Sequence, residues 1–142
     1  MGIDSRRPVS LLVTDEPELV LQLKEIFGDL GFDSDIALDV PHAAQQLKRR
    51  APDFVCVSLS LPRGSGYEVC ELVRSDPKLS RVPILVMSDR HLPEDVAFAE
   101  DVGADSFVAR PFSMDTLRSE VIATLESKRS GEPSIPSSGE PL

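Results

Sequence analysis

Small polar or charged side chains follow four of the apolar segments in this sequence. Thr14 and Asp15 follow the first segment, Ser58 closes the third, Ser88 closes the fourth, and Arg110 comes shortly after the fifth. Carboxylates can bind metal ions or attack phosphorus, whereas hydroxyl and guanidinium groups bind phosphate or carboxylate oxygens. These five positions are therefore the first candidates for a functional site.

Asp15 and Ser58 differ in their capacity to act as nucleophiles. An ionised Asp is already nucleophilic at neutral pH, because its reference pKa is near ~3.9. A Ser hydroxyl needs an adjacent base before it can attack. No His lies at the end of an apolar segment, since His42 falls in the second predicted helix and His91 opens the fourth. Ser58 is therefore not predicted to be an activated nucleophile.

Five short apolar segments alternate with five segments of helical periodicity. The predicted strands cover residues 9–13, 32–38, 53–58, 83–88 and 106–108. Pro17, Asp39 and Ser113 are typical of helix starts, and Gly31 and Gly103 of helix ends. Continuous apolar strands joined by helices predict an α/β fold with one doubly wound, five-stranded parallel sheet. Ligands of such sheets bind beyond the carboxyl ends of the strands, which is where the five polar positions lie.

The composition limits the partners and the surroundings of the protein. The 142 residues carry a net charge of −9, which disfavours nucleic acid and anionic membranes as partners. No apolar run reaches the roughly 18–20 residues of a membrane span, and Cys56 and Cys70 lack the spacing of a metal site. We expect a cytoplasmic protein with a loose lead-in (residues 1–8), one domain (9–126) and a disordered tail or linker rich in Ser, Pro and Gly (127–142).

The order of these motifs resembles the receiver domain of bacterial response regulators over about residues 9–125. Thr14-Asp15-Glu16-Pro17 resembles the acidic motif after the first strand, and Leu61-Pro62 with Gly66 resembles the loop after the third. Ser88 resembles the Ser/Thr position after the fourth strand, and Gly103-Ala104-Asp105, Phe107 and Arg110-Pro111-Phe112 resemble the region of the fifth. The resemblance implies a flavodoxin-like sheet with the strand order 2-1-3-4-5.

The resemblance also implies a phosphorylation site. In that family, two acidic residues after the first strand and an Asp at the end of the third bind Mg²⁺, and the last Asp accepts the phosphoryl group. A hydroxyl and a Lys contact the phosphoryl oxygens, and an aromatic residue on the fifth strand changes rotamer. Asp15, Ser88 and Phe107 keep this pattern. Thr14 replaces the first acidic residue, Ser58 the phosphoacceptor and Arg110 the Lys, so the sequence resembles a pseudo-receiver that lacks the phosphoacceptor Asp.

These replacements predict a pocket without its usual chemistry. Mg²⁺ usually takes one or two carboxylates with waters and phosphate, and Asp15 is the one matched carboxylate that remains. We therefore expect weak or absent Mg²⁺ binding, no other cofactor and no enzymatic activity. Because a guanidinium suits a carboxylate, Arg110 is a candidate to pair with Asp15.

Each candidate residue also has a purely structural interpretation. Asp15 could cap the first helix, Ser58 could fill a strand end, and Ser88 could bond to loop backbone. Phe107 and Phe98 could belong to the core, because an aromatic side chain in such a segment usually does. These interpretations remain open from the sequence.

Three functions are compatible with the sequence. The first is a signalling adaptor that docks a protein partner through its fourth helix, fifth strand and last helix, between His91 and Leu125, with a homodimer also possible. The second is a phosphorelay component that uses another acceptor, Asp15 or Asp53. The third is a sensor of a small ligand in the crevice at the strand ends, although Gly64 and Gly66 alone are weak indications of a phosphate loop.

Overall fold

The computed structural model describes residues 6–90 and 92–130 of the chain. The strands in this part are β1 (Val9–Val13), β2 (Asp33–Ala37), β3 (Phe54–Ser58), β4 (Ile84–Ser88) and β5 (Ser106–Ala109). The helices are α1 (Pro17–Asp29), α2 (Val40–Arg49), α3 (Gly66–Ser75), α4 (Pro93–Asp101) and α5 (Met114–Ser130), and a short 3-10 helix covers Pro77–Leu79.

The five strands form one parallel sheet in the order β2-β1-β3-β4-β5. The predicted fold class and strand order are therefore confirmed. The order reverses direction between β1 and β3, so the carboxyl ends of these two strands border the crevice in which ligands of such sheets bind.

The two faces of the sheet carry separate hydrophobic clusters because successive strand residues point to opposite faces. Val55 and Val57 of β3 pack towards α2, α3 and α4. Phe54 and Cys56 of the same strand pack towards α1 and α5. Every residue of β1, β3 and β4 is buried, as continuous apolar runs predict for a sheet covered on both sides.

Capping side chains fix where several helices begin. Asp39 accepts a hydrogen bond from the backbone N–H of His42 at 2.9 Å, and Ser113 accepts one from Thr116 at 3.1 Å, as predicted. The prediction that Asp15 could cap α1 is wrong. The N-cap of α1 is Glu16, whose side chain makes no capping hydrogen bond.

The predicted ends of the domain need correction. Helix α5 continues to Ser130, so residues 127–130, assigned to a disordered tail, are helical. Lys128 lies 3.2 Å from Asp105, and this pair ties the last turns of α5 to the start of β5. At the other end, Arg7 pairs with Asp33 at 3.1 Å, so the lead-in already contacts the sheet edge before β1. The remaining residues of the predicted tail and lead-in, 131–142 and 1–5, lie outside the described part.

No helix within residues 6–90 and 92–130 is both long enough and apolar enough to cross a membrane.

Candidate functional site

A narrow crevice lies at the carboxyl ends of β1, β3 and β4. Its lining combines hydroxyl groups, two carboxylates and one guanidinium, from Glu16, Ser58, Leu59, Ser60, Met87, Ser88, Asp89 and Arg110. The free volume is about 10 Å³, which is room for about one water molecule. The crevice is the site that the sequence predicts, but it is nearly filled by its own side chains.

Ser58, which lines the crevice, forms a buried pair of hydroxyl groups with Thr14. The Ser58 hydroxyl donates to Thr14 Oγ1 at 2.9 Å, and the two residues are 5% and 0% exposed. Thr14 Oγ1 also accepts from the backbone N–H of Glu16 at 3.3 Å. A threonine hydroxyl is no base, so nothing in this contact activates Ser58 as a nucleophile.

Arg110 lines the crevice and pairs with two carboxylates. Its guanidinium lies 2.5 Å from Glu16 Oε1 and 2.7 Å from Asp89 Oδ1, and its central carbon lies 5.3 Å from the centre of the Phe112 ring. Three segments of the chain therefore meet at one side chain: the start of α1, the loop after β4 and the loop after β5.

The predicted pair between Arg110 and Asp15 is wrong, and the backbone gives the reason. Alternate residues of an extended segment point to opposite sides. Thr14 points to Ser58 and Glu16 points to Arg110, whereas Asp15 between them is exposed and lines a separate groove with Leu21 and Leu38. The resemblance matched Asp15 to the acidic pocket, but Glu16 is the carboxylate that reaches the crevice.

Ser88 and Phe107 occupy different surroundings. Ser88 lines the crevice, is 6% exposed, and accepts a hydrogen bond from the backbone N–H of Arg90 at 3.0 Å. This is the loop-backbone contact that its structural interpretation predicts. Phe107 is half-buried and packs against the hydrophobic cluster beneath α2, α3 and α4, away from the crevice lining.

The arrangement does not fit the Mg²⁺ ion that the family resemblance implies. Glu16 and Asp89 are the carboxylates of the crevice, and both are held by the Arg110 guanidinium. Across residues 6–90 and 92–130, no group of three or more His, Cys, Asp or Glu side chains could hold a metal ion. A bound cation would have to displace Arg110 from both carboxylates.

A second set of contacts holds the loop that follows β4 against the first turn of α4. Arg90 pairs with Asp95 in the first turn of α4 at 2.9 Å, and the hydroxyl of Tyr67 donates to the backbone carbonyl of Asp95 at 3.4 Å. Burial raises the pKa of Tyr67, and the charge of Asp95 raises it further, so the phenol stays protonated and remains a donor.

The aromatic ring of Phe98 on α4 is exposed, so its interpretation as a core residue is wrong. It is 48% exposed and meets the ring of Tyr67 edge-on, with 4.5 Å between the ring centres. No local sequence pattern indicates this pair, because Tyr67 and Phe98 lie on different helices. Glu16 belongs to the acidic motif quoted from the sequence and Asp89 directly follows Ser88, but neither is among the predicted site residues.

The other candidate groups lie away from the crevice. Asp53 precedes β3, at the amino end of the sheet, where its carboxylate accepts from the backbone N–H of Val9 at 2.8 Å. His42 accepts from the backbone N–H of Leu38 at 3.1 Å. His91 lies outside the described residues.

Comparisons with known proteins identify the family and agree with this fold. The sequence matches the Response regulator receiver domain family over residues 10–122. It is 32% identical over 113 residues to the sensory transduction protein BceR of Bacillus subtilis, and 32% identical over 123 residues to the DNA-binding response regulator MtrA of Mycolicibacterium smegmatis. These alignments cover 80% and 87% of this chain, but 48% and 53% of the relatives, so the chain spans about half their length.

Solved structures give the same result for the fold. A putative response regulator from Chloroflexus aurantiacus is 25% identical, with a TM-score of 0.76 over 85% of this chain and 99% of that one. The chemotaxis response regulator CheY4 of Vibrio cholerae is 22% identical, with a TM-score of 0.77 over 84% of this chain and 99% of that one. The family match, the strand order and the polar crevice at the strand ends together place the chain in the receiver class. The chain belongs to the response regulator receiver domain family and is a receiver domain of two-component signal transduction.

Proposed function

We propose that this chain is a receiver module that signals through protein contacts, without phosphorylation at Ser58 and without catalysis of its own. The observation that carries the proposal is the hydrogen bond from Ser58 to Thr14, 2.9 Å long and buried, at the position where the family has its phosphoacceptor. A hydroxyl without a base replaces a carboxylate that would be ionised at neutral pH.

The ion pairs of Arg110 in the crevice support the same proposal. A transferable phosphoryl group needs a metal ion or a free cationic side chain to neutralise its oxygens. Arg110 is the cation of the crevice, and it is engaged by Glu16 and Asp89. A phosphoryl group would therefore compete with two carboxylates for one guanidinium, and it would enter a crevice of about 10 Å³.

A docking face remains after this chemistry is lost. By the family resemblance, the output surface comprises α4, β5 and α5. On α4 the exposed apolar side chains are Phe98 (48% exposed) and Leu92 just before the helix (41% exposed). Exposed apolar groups rimmed by charge are typical of protein contacts. We propose that a protein partner docks here, and a second copy of the chain is the competing occupant.

The experiment that tests the proposal is a titration of the ¹⁵N-labelled protein with Mg²⁺ and then beryllium fluoride, a phosphoryl mimic. The amide signals of Ser58, Ser88, Phe107 and Arg110 are followed. We expect them to remain unchanged to millimolar concentration. A concerted change that saturates would contradict the proposal, because the crevice would then still recognise metal and phosphoryl groups.

The matched control for this titration restores the acidic positions. In the double variant Thr14→Asp, Ser58→Asp, two carboxylates replace the hydroxyl pair, and we expect its amide signals to respond to Mg²⁺. The response would establish that the assay detects an intact site, so that the unchanged wild-type spectrum is meaningful.

The two alternative functions have less support. A phosphorelay acceptor at Asp53 would lie at the amino end of the sheet, and Asp15 is exposed outside the crevice; acid-labile phosphate mapped to either residue would revive this function. A small-ligand sensor would need a pocket of roughly 300–1,000 Å³, far larger than the crevice. A stabilising effect of any nucleotide in a thermal-shift screen would revive that function.

A further inference from the structure

Helix α1 carries a leucine on the side away from the core. Its buried residues, among them Leu19, Leu23 and Ile26, face the sheet. At 100° per residue, Leu21 lies on the opposite side, and it is 68% exposed, more than any other large hydrophobic residue in the described part. In an ordinary surface helix the side away from the core carries polar residues. The fold therefore does not explain an exposed leucine at this position.

Leu21 is part of an open groove and is not an isolated apolar residue. Leu38, which directly follows β2 and is 49% exposed, forms the other wall. The groove has a volume of about 350 Å³ and is lined by Thr14, Asp15, Pro17, Val20, Leu21 and Leu38. This volume lies in the range of sites that receive a ligand or a partner side chain.

The charged residue of the lining indicates what the groove would receive. Asp15 is exposed, and no hydrogen bond or ion pair within residues 6–90 and 92–130 engages its carboxylate. An apolar groove beside an unpaired carboxylate is complementary to an apolar side chain that has a Lys or Arg next to it. The other lining residues carry no charge that would oppose such a partner.

Two other candidate occupants of the groove are less complementary to the negative charge of Asp15. A second copy of the chain would bring two Asp15 carboxylates together between molecules of net charge −9. The chain's own residues 131–142 contain Glu132 and Glu140 and no Lys or Arg, so they have no cationic side chain that could pair with Asp15.

We propose that the groove between α1 and the end of β2 is a docking site for a basic amphipathic protein segment, with an apolar side chain between Leu21 and Leu38 and a cation on Asp15. This site is separate from the face of α4, β5 and α5. Thr14 links it to the crevice, because Thr14 lines the groove and accepts the hydrogen bond of Ser58.

The test uses the full ¹⁵N-labelled chain and three synthetic peptides of equal length. One is an amphipathic helix of Leu and Lys, the second has the same composition in a shuffled order, and the third has Leu and Glu. We expect saturable shifts at Asp15, Leu21 and Leu38 with the first peptide alone. Leu21→Ser should weaken binding about tenfold, since burying one leucine is worth at least that factor, and Asp15→Asn about threefold.

Phe98→Ala is the matched control, because Phe98 is the more exposed of the two apolar residues on the other face. It should leave the affinity for the Leu/Lys peptide unchanged, whereas a loss confined to Phe98→Ala would place the contact on α4 and overturn the inference. Absence of a saturable shift at millimolar peptide, or equal binding of the shuffled or acidic peptide, would also overturn it. So would a dimer in sedimentation equilibrium that Leu21→Ser abolishes, since a second copy would then fill the groove.

Discussion

Arg110→Ala is the substitution that most directly tests how the crevice is closed. Arg110 pairs with Glu16 and Asp89, and its side chain is 35% exposed, against 46% and 69% for the two carboxylates. Exposed ion pairs contribute about 0.2–1 kcal/mol each, and the contact with the Phe112 ring adds about 0.5–1 kcal/mol at most at such a site. We expect a loss of about 1–2 kcal/mol in the free energy of unfolding, because one guanidinium serves all three contacts.

The loss can be measured by urea denaturation and by the melting temperature. For a domain of this size, about 1–2 kcal/mol corresponds to a decrease of roughly 3–10 °C in Tm. The effect should shrink at high salt, since the screening length falls to about 3 Å at 1 M ionic strength, close to the separation of these partly exposed charges. Arg110→Lys keeps the charge but not the planar fork, so its loss should be smaller.

Arg118→Ala is the matched control for this substitution. Arg118 makes one pair with Asp29 at 3.0 Å, with exposures of 31% and 60%, on a part of the surface away from the crevice. Its removal should cost about 0.2–1 kcal/mol and leave the amide signals of Ser58, Ser88 and Asp89 in place. If Arg110→Ala costs no more than Arg118→Ala and moves none of those signals, Arg110 does not close the crevice and the reasoning fails.

Three further predictions concern close packing, pH and thiol reactivity. Gly66→Ala should destabilise the protein by about 1–3 kcal/mol in urea denaturation, because the added Cβ would lie 2.5 Å from the carbonyl oxygen of Ser58; an unchanged midpoint would contradict this. Burial raises the pKa of Glu120 above its ordinary value of 4.5, so this carboxyl favours folding when protonated, and its contribution is lost as pH rises through the folded pKa. Glu120→Gln should therefore be more stable than wild type at pH 7, with the difference disappearing below the ordinary pKa, and a constant difference at all pH values would contradict the cause. Burial raises the pKa of Cys70 to about 12 and that of Cys56 further still, so DTNB should label neither thiol at pH 8 until the protein is denatured, and rapid labelling of the native protein would show that one thiol is accessible.

The sheet was predictable from the sequence because it depends on local patterns. Five apolar runs separated by helical periodicity define the strands, and the direction of parallel crossovers restricts the topology. The end of α5 was not predictable in this way. Its apolar positions stop at Leu125, and the last turns are held by the pair between Lys128 and Asp105, residues 23 positions apart whose contact no local pattern contains.

The candidate site was predictable as a location but not as a set of contacts. The positions of Ser58, Ser88 and Arg110 at strand ends follow from the fold, and the structure brings all three to one crevice. Which carboxylate meets Arg110 depends on how the chain leaves β1. Successive side chains point to opposite sides of the extended segment, so Glu16 points to Arg110 and Asp15 points away from it.

The groove and the α4 face have different relations to the crevice. The groove shares Thr14 with it, and Thr14 accepts the hydrogen bond of Ser58. The α4 face connects to the loop after β4 through Asp95. Arg90 of that loop pairs with the Asp95 side chain, and the hydroxyl of Tyr67 donates to the Asp95 backbone carbonyl. The ring of Tyr67 in turn contacts Phe98. A ligand shifts a conformational equilibrium only by its differential affinity for the two states. If occupancy of the groove alters the Ser58 and Thr14 pair and this change reaches the α4 face, each ligand changes the affinity of the other by the same factor. A titration of one ligand in the presence and in the absence of the other therefore measures whether the crevice couples the two surfaces, and an unchanged affinity would mean that it does not.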